Sequence, residues 1–112
     1  MGLSLTLSAL GQAIGNLANT YLALGRHQDA LAMQEKALEF RRRVLPDNHP
    51  HIGISCLNLG ISCHKVGDLH RALQFAREAL RIFQATLPPS HPHVTQAQQL
   101  VLLCEGDTAR RS

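Results

Sequence analysis

The chain has 112 residues, 45% of them hydrophobic, which is enough for one domain with a modest core. Aromatic residues make up only 4% and Trp is absent, so the core must consist of Leu, Ala and Ile, which suits close-packed helices. The net charge of +3 does not by itself indicate nucleic acid, and no run approaches the ~18 apolar residues of a membrane span. We therefore expect neither nucleic acid nor membrane as a partner.

The first two predicted elements form a helix–turn–helix. The apolar positions of residues 14–24 follow a helical stripe, and Thr6 or Ser8 would cap a longer version of this helix. Gly25 ends it as a left-handed C-terminal glycine. The second helix is predicted over about residues 29–44, and Pro46, just after it, prevents it from continuing.

Three further helices follow. They are predicted over residues 52–66, about 69–87 and about 94–104, with Glu105-Gly106-Asp107 closing the last one. Residues 106–112 are predicted to be a flexible tail.

Residues 1–10 lack the basic n-region of a signal peptide. Cys56 and Cys63 are seven positions apart, about two helical turns or ~10 Å, too far for a disulfide. Reduced thiols indicate a cytoplasmic protein.

The sequence repeats after 42 residues. Residues 14–51 aligned with 56–93 share twelve identities in 38 positions. The identities include Asn16 with Asn58, Gly25 with Gly67, the Ala-Leu pairs of both second helices, and the His-Pro-His clusters at 49–51 and 91–93. Matching glycines, prolines and small residues in a fixed register indicate a tandem structural repeat.

Residues 14–38, IGNLANTYLALGRHQDALAMQEKAL, resemble a tetratricopeptide repeat. The motif positions are taken by Ile14, Leu17-Ala18, Tyr21, Ala30 and Ala37. Ala18 and its counterpart Gly60 are small where two helices approach closely. The 42-residue period with a His-Pro loop is similar to the repeats of kinesin light chains and nephrocystin-like proteins. Adaptors that bind GoLoco-type peptides are the second choice, but their repeats lack that loop.

This resemblance covers about residues 9–104 and implies an all-α fold. The expected architecture is a right-handed α-solenoid of antiparallel helix pairs, with about five helices and two and a half repeats. The whole chain, 1–112, is then a single domain. Its first repeat spans about 9–50, its second about 51–92, and a partial third repeat or capping helix about 93–105.

The histidines of the two His-Pro-His clusters are of a residue type that binds zinc. Zinc needs four ligands at ~2.0–2.3 Å, whereas the proline splays each pair of histidines and the two pairs lie one repeat apart. The alternative is that Pro50 and Pro92 occupy the first positions of helices. Asn48 and Ser90 then stand beside them as candidate caps. We predict helix starts with neutral imidazoles at His51 and His93, and neither a metal nor a cofactor.

Two other groups of residues could carry chemistry or bind a partner. Cys56, Cys63 and His64 suggest a thiol nucleophile, but both cysteines fall on core positions, so we predict buried thiols and no enzyme. The basic run Arg41–Arg43 is predicted to be a solvated face at a helix C-terminus. An acidic partner is the alternative for this run. Single-stranded nucleic acid is poorly supported, because no aromatic residues are interleaved.

Stacked helix pairs form an extended concave face, which the first helix of each pair lines in tetratricopeptide repeats. The resemblance places the partner-binding positions on three helices. They are Gln12, Gly15, Asn19, Leu22 and Ala23, then Ile54, Leu57, Ile61, His64 and Lys65, then Gln96, Gln99 and Leu103. The amides suit a peptide backbone and the leucines an apolar floor. The carboxylate clamp of cochaperones requires Lys where Gly15 stands and Asn where Ile61 stands, which argues against a terminal-carboxylate clamp.

The predicted function is a non-catalytic adaptor that binds a peptide or helical segment of a partner protein in the concave groove. The alternative is a structural module that self-associates as a homo-oligomer through its fifth helix. That alternative rests on LVLLC, residues 100–104, because Leu100, Val101 and Leu103 cannot all face one neighbouring helix.

Overall fold

A computed structural model of the chain describes residues 14 and 16–111, which are helical or in turns, with no β-strand among them. Helix α1 comprises residues 16–23, and residue 14 is also helical. The later helices are α2 (His27–Val44), α3 (Pro50–Lys65), α4 (Leu69–Thr86) and α5 (Pro92–Arg111). Each helix from α2 onward packs on the next, and α3 also contacts α5. The predicted all-α solenoid is confirmed. The proposed caps Thr6 and Ser8, and the start of the first repeat near residue 9, lie outside the described residues.

Glycines end the first helix of each pair, as predicted. Gly25 and Gly67 have φ angles of 77° and 86°, in the left-handed region that favours glycine. The N–H of Gly25 donates to the Leu22 carbonyl at 3.0 Å, and the next N–H, of Arg26, reaches back to Tyr21 at 2.8 Å. This is the Schellman arrangement, which satisfies the last carbonyls of a helix, and Gly67 repeats it.

The His-Pro-His clusters start helices, also as predicted, because α3 begins at Pro50 and α5 at Pro92. The cap, however, is a histidine. The Nδ1 of His49 accepts the N–H of His51 at 3.0 Å, and His91 makes the same bond to His93. An accepting Nδ1 carries no proton, so this hydrogen bond requires the neutral imidazole with its proton on Nε2.

The prediction that Asn48 and Ser90 stand as the caps is therefore wrong. Asn48 has a φ of 63°, a left-handed conformation that asparagine tolerates in tight turns. Its Oδ1 accepts a hydrogen bond from Arg81 of α4 at 2.9 Å. The histidine one position later is the residue whose ring reaches the free N–H groups of the new helix.

The predicted end of the fifth helix near residue 104 is wrong, because α5 continues from Pro92 to Arg111, through most of the predicted tail. Gly106 is exposed, so it weakens the helix by only about 1 kcal/mol relative to alanine. Tertiary and local bonds hold the extra turns. Asp107 accepts from Arg110 and pairs with His64 of α3 at 2.6 Å, and the Thr108 hydroxyl donates to the Cys104 carbonyl.

The core lies between α2, α3, α4 and α5, and α3 is its centre. Phe83, Leu59 and Ile82 are its largest fully buried side chains. Gly53 and Gly60 allow α3 to lie close to its neighbours. A Cβ on Gly53 would stand 2.6 Å from the Phe83 ring, and one on Gly60 would stand 2.9 Å from Leu100 and 3.3 Å from the Ala72 carbonyl. The expected close approach at Gly60 is confirmed.

Two glycine substitutions are expected to act in opposite directions. Gly53→Ala forces the rigid Phe83 ring to shift and should lower the free energy of unfolding by about 1–3 kcal/mol. Gly106→Ala meets no atom within 4 Å and should raise it by about 0.5–1 kcal/mol. Urea unfolding followed by circular dichroism measures both. Equal effects of the two variants would contradict the close packing of α3 on α4.

Acid should destabilise the fold through His51. Burial lowers the pKa of His51 below its ordinary 6.5, and the charge on Arg41 lowers it further. The unfolded chain therefore binds this proton more readily, so the contribution is fully present above the ordinary pKa and is lost as pH falls through the folded-state pKa. We expect the urea midpoint to fall between about pH 7.5 and about pH 5.5, and to fall less in His51→Gln. The same pH dependence in that variant would exclude His51 as a cause.

Candidate functional site

A groove of about 410 Å³ lies between α3 and α5. Such a volume falls within the ~300–1,000 Å³ typical of ligand sites. Seven residues line the groove: Leu57, Asn58, Ile61, Gln96, Gln99, Leu100 and Leu103. The structure thus brings together five of the positions predicted to bind a partner: Leu57, Ile61, Gln96, Gln99 and Leu103. Asn58 and Leu100 were not among the predicted positions.

The lining of this groove is apolar and amide, without a charged residue among the seven. Leu57 and Leu100 are almost fully buried and form its floor. Gln96 and Gln99 are exposed on α5, and Asn58 is half-buried on α3. An amide side chain offers both a donor and an acceptor, so this rim can pair with either polar group of a peptide backbone.

The other predicted positions do not line this groove. Ile54 packs against the core, Lys65 is exposed at the end of α3, and Leu22 is half-buried on α1. Asn19 and Ala23 are exposed on α1. Gln12 and Gly15 lie outside the described residues.

His64 forms a contact between α3 and α5. Its Nε2 lies 2.6 Å from Asp107 Oδ2, and both side chains are more than two-thirds buried. This polar contact joins the two helices. His64 was predicted to face a partner, but its ring is engaged within the chain.

The basic run Arg41–Arg43 is only partly the solvated face that the sequence predicted. Arg41 Nη1 donates to the His51 carbonyl at 3.1 Å and to Ser55 Oγ at 2.9 Å, which ties α2 to α3. Burial lowers the pKa of Arg41. Arg42 pairs with Glu78 of α4 at 2.5 Å. Two of the three arginines therefore make structural contacts, Arg41 with neutral oxygens of α3 and Arg42 with a carboxylate of α4.

The cysteines are buried thiols, as predicted. Desolvation raises the pKa of Cys56 to about 12 and that of Cys63 to about 11, and it also raises the pKa of Cys104. A thiol with a raised pKa is a poor nucleophile, because the thiolate is the reactive form. In the part of the chain that the structure describes, no three His, Cys, Asp or Glu residues are grouped to hold a metal. No helix in that part is long and apolar enough to cross a membrane.

These thiols should be protected from modification. In the native chain at about pH 8, Ellman's reagent should react with the three cysteines far more slowly than with an unfolded peptide. In denaturant all three cysteines should react rapidly. Rapid release of one equivalent from the native chain would contradict the burial and would revive the thiol-enzyme interpretation.

Comparisons with known proteins agree with this architecture. A family model described as tetratricopeptide repeat matches residues 5–85. Protein KINESIN LIGHT CHAIN-RELATED 3 of Arabidopsis thaliana is 26% identical over 69 residues, which is 62% of this chain and 11% of that protein. The chain thus spans about a tenth of that relative.

Two crystal structures have a similar fold. One is of a Podosopora anserina protein assigned as a kinesin light chain with nearly identical TPR-like repeats. It is 20% identical with a TM-score of 0.80, covering 88% of this chain and 47% of that one. The second, a variant of the same protein, has a TM-score of 0.79 over the same coverage, also at 20% identity. The family model covers well over half of the chain, so the chain belongs to the tetratricopeptide repeat family, with repeats of the kinesin-light-chain-like kind.

Proposed function

We propose that this chain is a non-catalytic adaptor that binds an extended segment of a partner protein in the groove between α3 and α5. Tetratricopeptide repeats are in general protein-interaction modules, and this fold is in general a non-catalytic scaffold. The observation that carries the proposal is the groove itself, which joins an apolar floor to an amide rim. Buried cysteines without a disulfide are typical of proteins in a reducing compartment, and we propose the cytoplasm.

The apolar floor supplies the binding energy. Leu103 is 47% exposed beside the buried Leu57 and Leu100, so part of its surface is available for a partner side chain to cover. Burying apolar surface is favourable by about 25 cal/mol per Å². A partner that places one or two aliphatic side chains on this floor gains a binding free energy of several times RT.

The amide rim favours an extended segment over a helix. Asn58, Gln96 and Gln99 together offer donors and acceptors on both walls of the groove. The backbone groups of an extended peptide need such partners, whereas those in the middle of a helix are already bonded to each other. A helical partner would leave the three amides without a matching role.

Self-association through α5 is the second candidate. Leu102 is 69% exposed and its neighbour Leu103 is 47% exposed, so adjacent leucines of this helix present apolar surface to solvent. Leu100 and Val101 do not contribute to this surface, however. Both are buried, because α5 packs against α4 and also contacts α3 and so has two directions in which to bury side chains. On α5, the large apolar side chains that remain exposed for a second copy are Leu102 and Leu103.

Adjacent leucines of α5 separate the two functions. Leu103→Glu puts a charge on the groove wall and should lower the affinity for groove-binding peptides at least about tenfold. Leu102→Glu is the matched control, since it adds the same charge to the same helix at a residue that does not line the groove. Both positions are exposed, so the fold should persist. Leu57→Glu is a poorer test, because Leu57 is 6% exposed and the buried charge threatens the core.

The probe is a displayed library of random short peptides, with selected peptides measured by fluorescence polarisation. Selected peptides that bind Leu103→Glu as tightly as the native chain would refute the groove assignment. Sedimentation velocity tests the second candidate. Self-association that Leu102→Glu abolishes would support it, and a monomer at high concentration would exclude it.

A further inference from the structure

The two junctions between successive repeats are built from different chemistry. Positions 42 residues apart are equivalent in the repeat. Where α2 meets α3, five such positions carry polar side chains. We call this set the polar junction: Gln34, Arg41, Ser55, Asn58 and Ser62. Their equivalents where α4 meets α5 are all apolar and buried: Ala76, Phe83, Ala97, Leu100 and Cys104. The fold therefore does not require polar residues at these positions.

The polar junction leaves one strong donor without a partner. Gln34 is only 3% exposed. Its Oε1 accepts the Ser62 hydroxyl at 2.5 Å, but its Nε2 is fully buried and makes no hydrogen bond. A buried donor without an acceptor costs about 1–3 kcal/mol, so such groups in folded proteins usually bond a water or a ligand.

Arg41 adds a positive charge to the same place. It is half-buried, and both of its hydrogen bonds come from Nη1 and end on neutral oxygens, the His51 carbonyl and Ser55 Oγ. Among the described residues no Asp or Glu pairs with it. By contrast, Arg42 and Arg71 each have a carboxylate at 2.5 Å. Arg41 is thus a partly desolvated guanidinium that lacks an anion.

Gln34 and Arg41, the residues that carry the unpartnered donor and the guanidinium, line one small space. A cavity of about 10 Å³, room for about one oxygen atom, is bounded by Gln34, Ala37, Arg41, Ser55 and Asn58. Asn58 also lines the groove between α3 and α5. A segment lying in that groove and crossing α3 at Asn58 would therefore reach this cavity next.

We propose that the polar junction is a second subsite for the partner segment and takes one oxygen of an acidic side chain between Gln34 and Arg41. The proposal rests on the proposed function, because it assumes a segment in the groove. The ligand is thus an extended segment with aliphatic residues over α3 and α5 and an Asp or Glu that passes over Asn58 toward α2. The carboxylate accepts from Gln34 Nε2 and from the guanidinium, which supplies the acceptor and the anion that these groups lack.

The repeat provides the test variants. Gln34→Ala with Ser62→Cys rebuilds the first junction with the residues of the second, Ala76 and Cys104, so it should fold. It also removes the unpartnered donor, so it should melt at the same temperature as the native chain or higher. Arg41→Gln removes the charge and keeps a donor. Leu103→Glu disables the groove without touching the junction.

The displayed library of random short peptides is selected on the native chain. Selected peptides are then synthesised with amidated C-termini, each with its acidic residue or with the matching amide. We expect an acidic residue at a fixed distance from the aliphatic ones. Changing it to the amide should weaken binding to the native chain about tenfold, and should have little effect on binding to Arg41→Gln or to the double variant.

Several outcomes would overturn the proposal. Peptides that depend on Leu103 but have no acidic position would refute the subsite and leave the groove standing. An amide substitution that weakens binding equally in Arg41→Gln would place the carboxylate elsewhere. Binding only with a free C-terminus would assign the anion to the peptide terminus. A double variant that melts well below the native chain would give Gln34 a structural role. Peptides indifferent to Leu103→Glu would refute the proposed function itself.

Discussion

Helix α3 packs against α2, α4 and α5 at once, and the rest of the structure depends on this. A helix with three neighbours needs small residues where it meets them, because helix axes otherwise remain ~8–10 Å apart. Gly53 accommodates Phe83, and Gly60 accommodates Leu100 and the Ala72 backbone. Most of α3 is consequently buried. Among the positions of α3 that remain partly open, Asn58 and Ile61 line the groove, so core packing limits which residues a partner can touch.

The two junctions show how a repeat can keep its backbone and change its chemistry. Ala76, Phe83 and Cys104 pack the second junction with apolar surface, which stabilises it by about 25 cal/mol per Å² buried. Gln34, Arg41 and Ser62 replace them in the first junction, where the gain from burial is smaller and one donor is unpaired. Because each repeat of a solenoid contacts only its neighbours, this cost stays local. The first junction can be weak while α3, α4 and α5 remain a stable unit.

Local signals predicted the fold well. Gly25, Gly67, Pro50 and Pro92 act within a few residues of their own position, so their effects on helix ends could be inferred from sequence. The errors arose where a distant contact decides. The helix continues through Gly106 because Asp107 meets His64, 43 positions earlier, and no local pattern contains that pairing.

The candidate site was partly predictable for the same reason. The family resemblance placed Leu57, Ile61, Gln96 and Gln99 on the concave face, and all four line the groove. Asn58 was missed although the same residue occupies the equivalent position 16, an identity that the alignment of the repeats contained. The state of Gln34 could not be inferred, since whether a glutamine finds a partner depends on side chains from α3 that only the folded chain brings together.

A difference between junctions also answers a problem that any repeat protein faces. Two identical repeats present the same surface twice, so a bound segment can lie in either of two registers with equal energy. Here the apolar floor lies between α3 and α5, whereas the guanidinium without an anion and the unpaired amide lie at the first junction. A segment carrying an aliphatic residue and an acid gains both contacts in one register only. On our proposal the polar residues of the first junction lower its stability and in return fix the position and direction of the partner, which a uniform apolar solenoid cannot do.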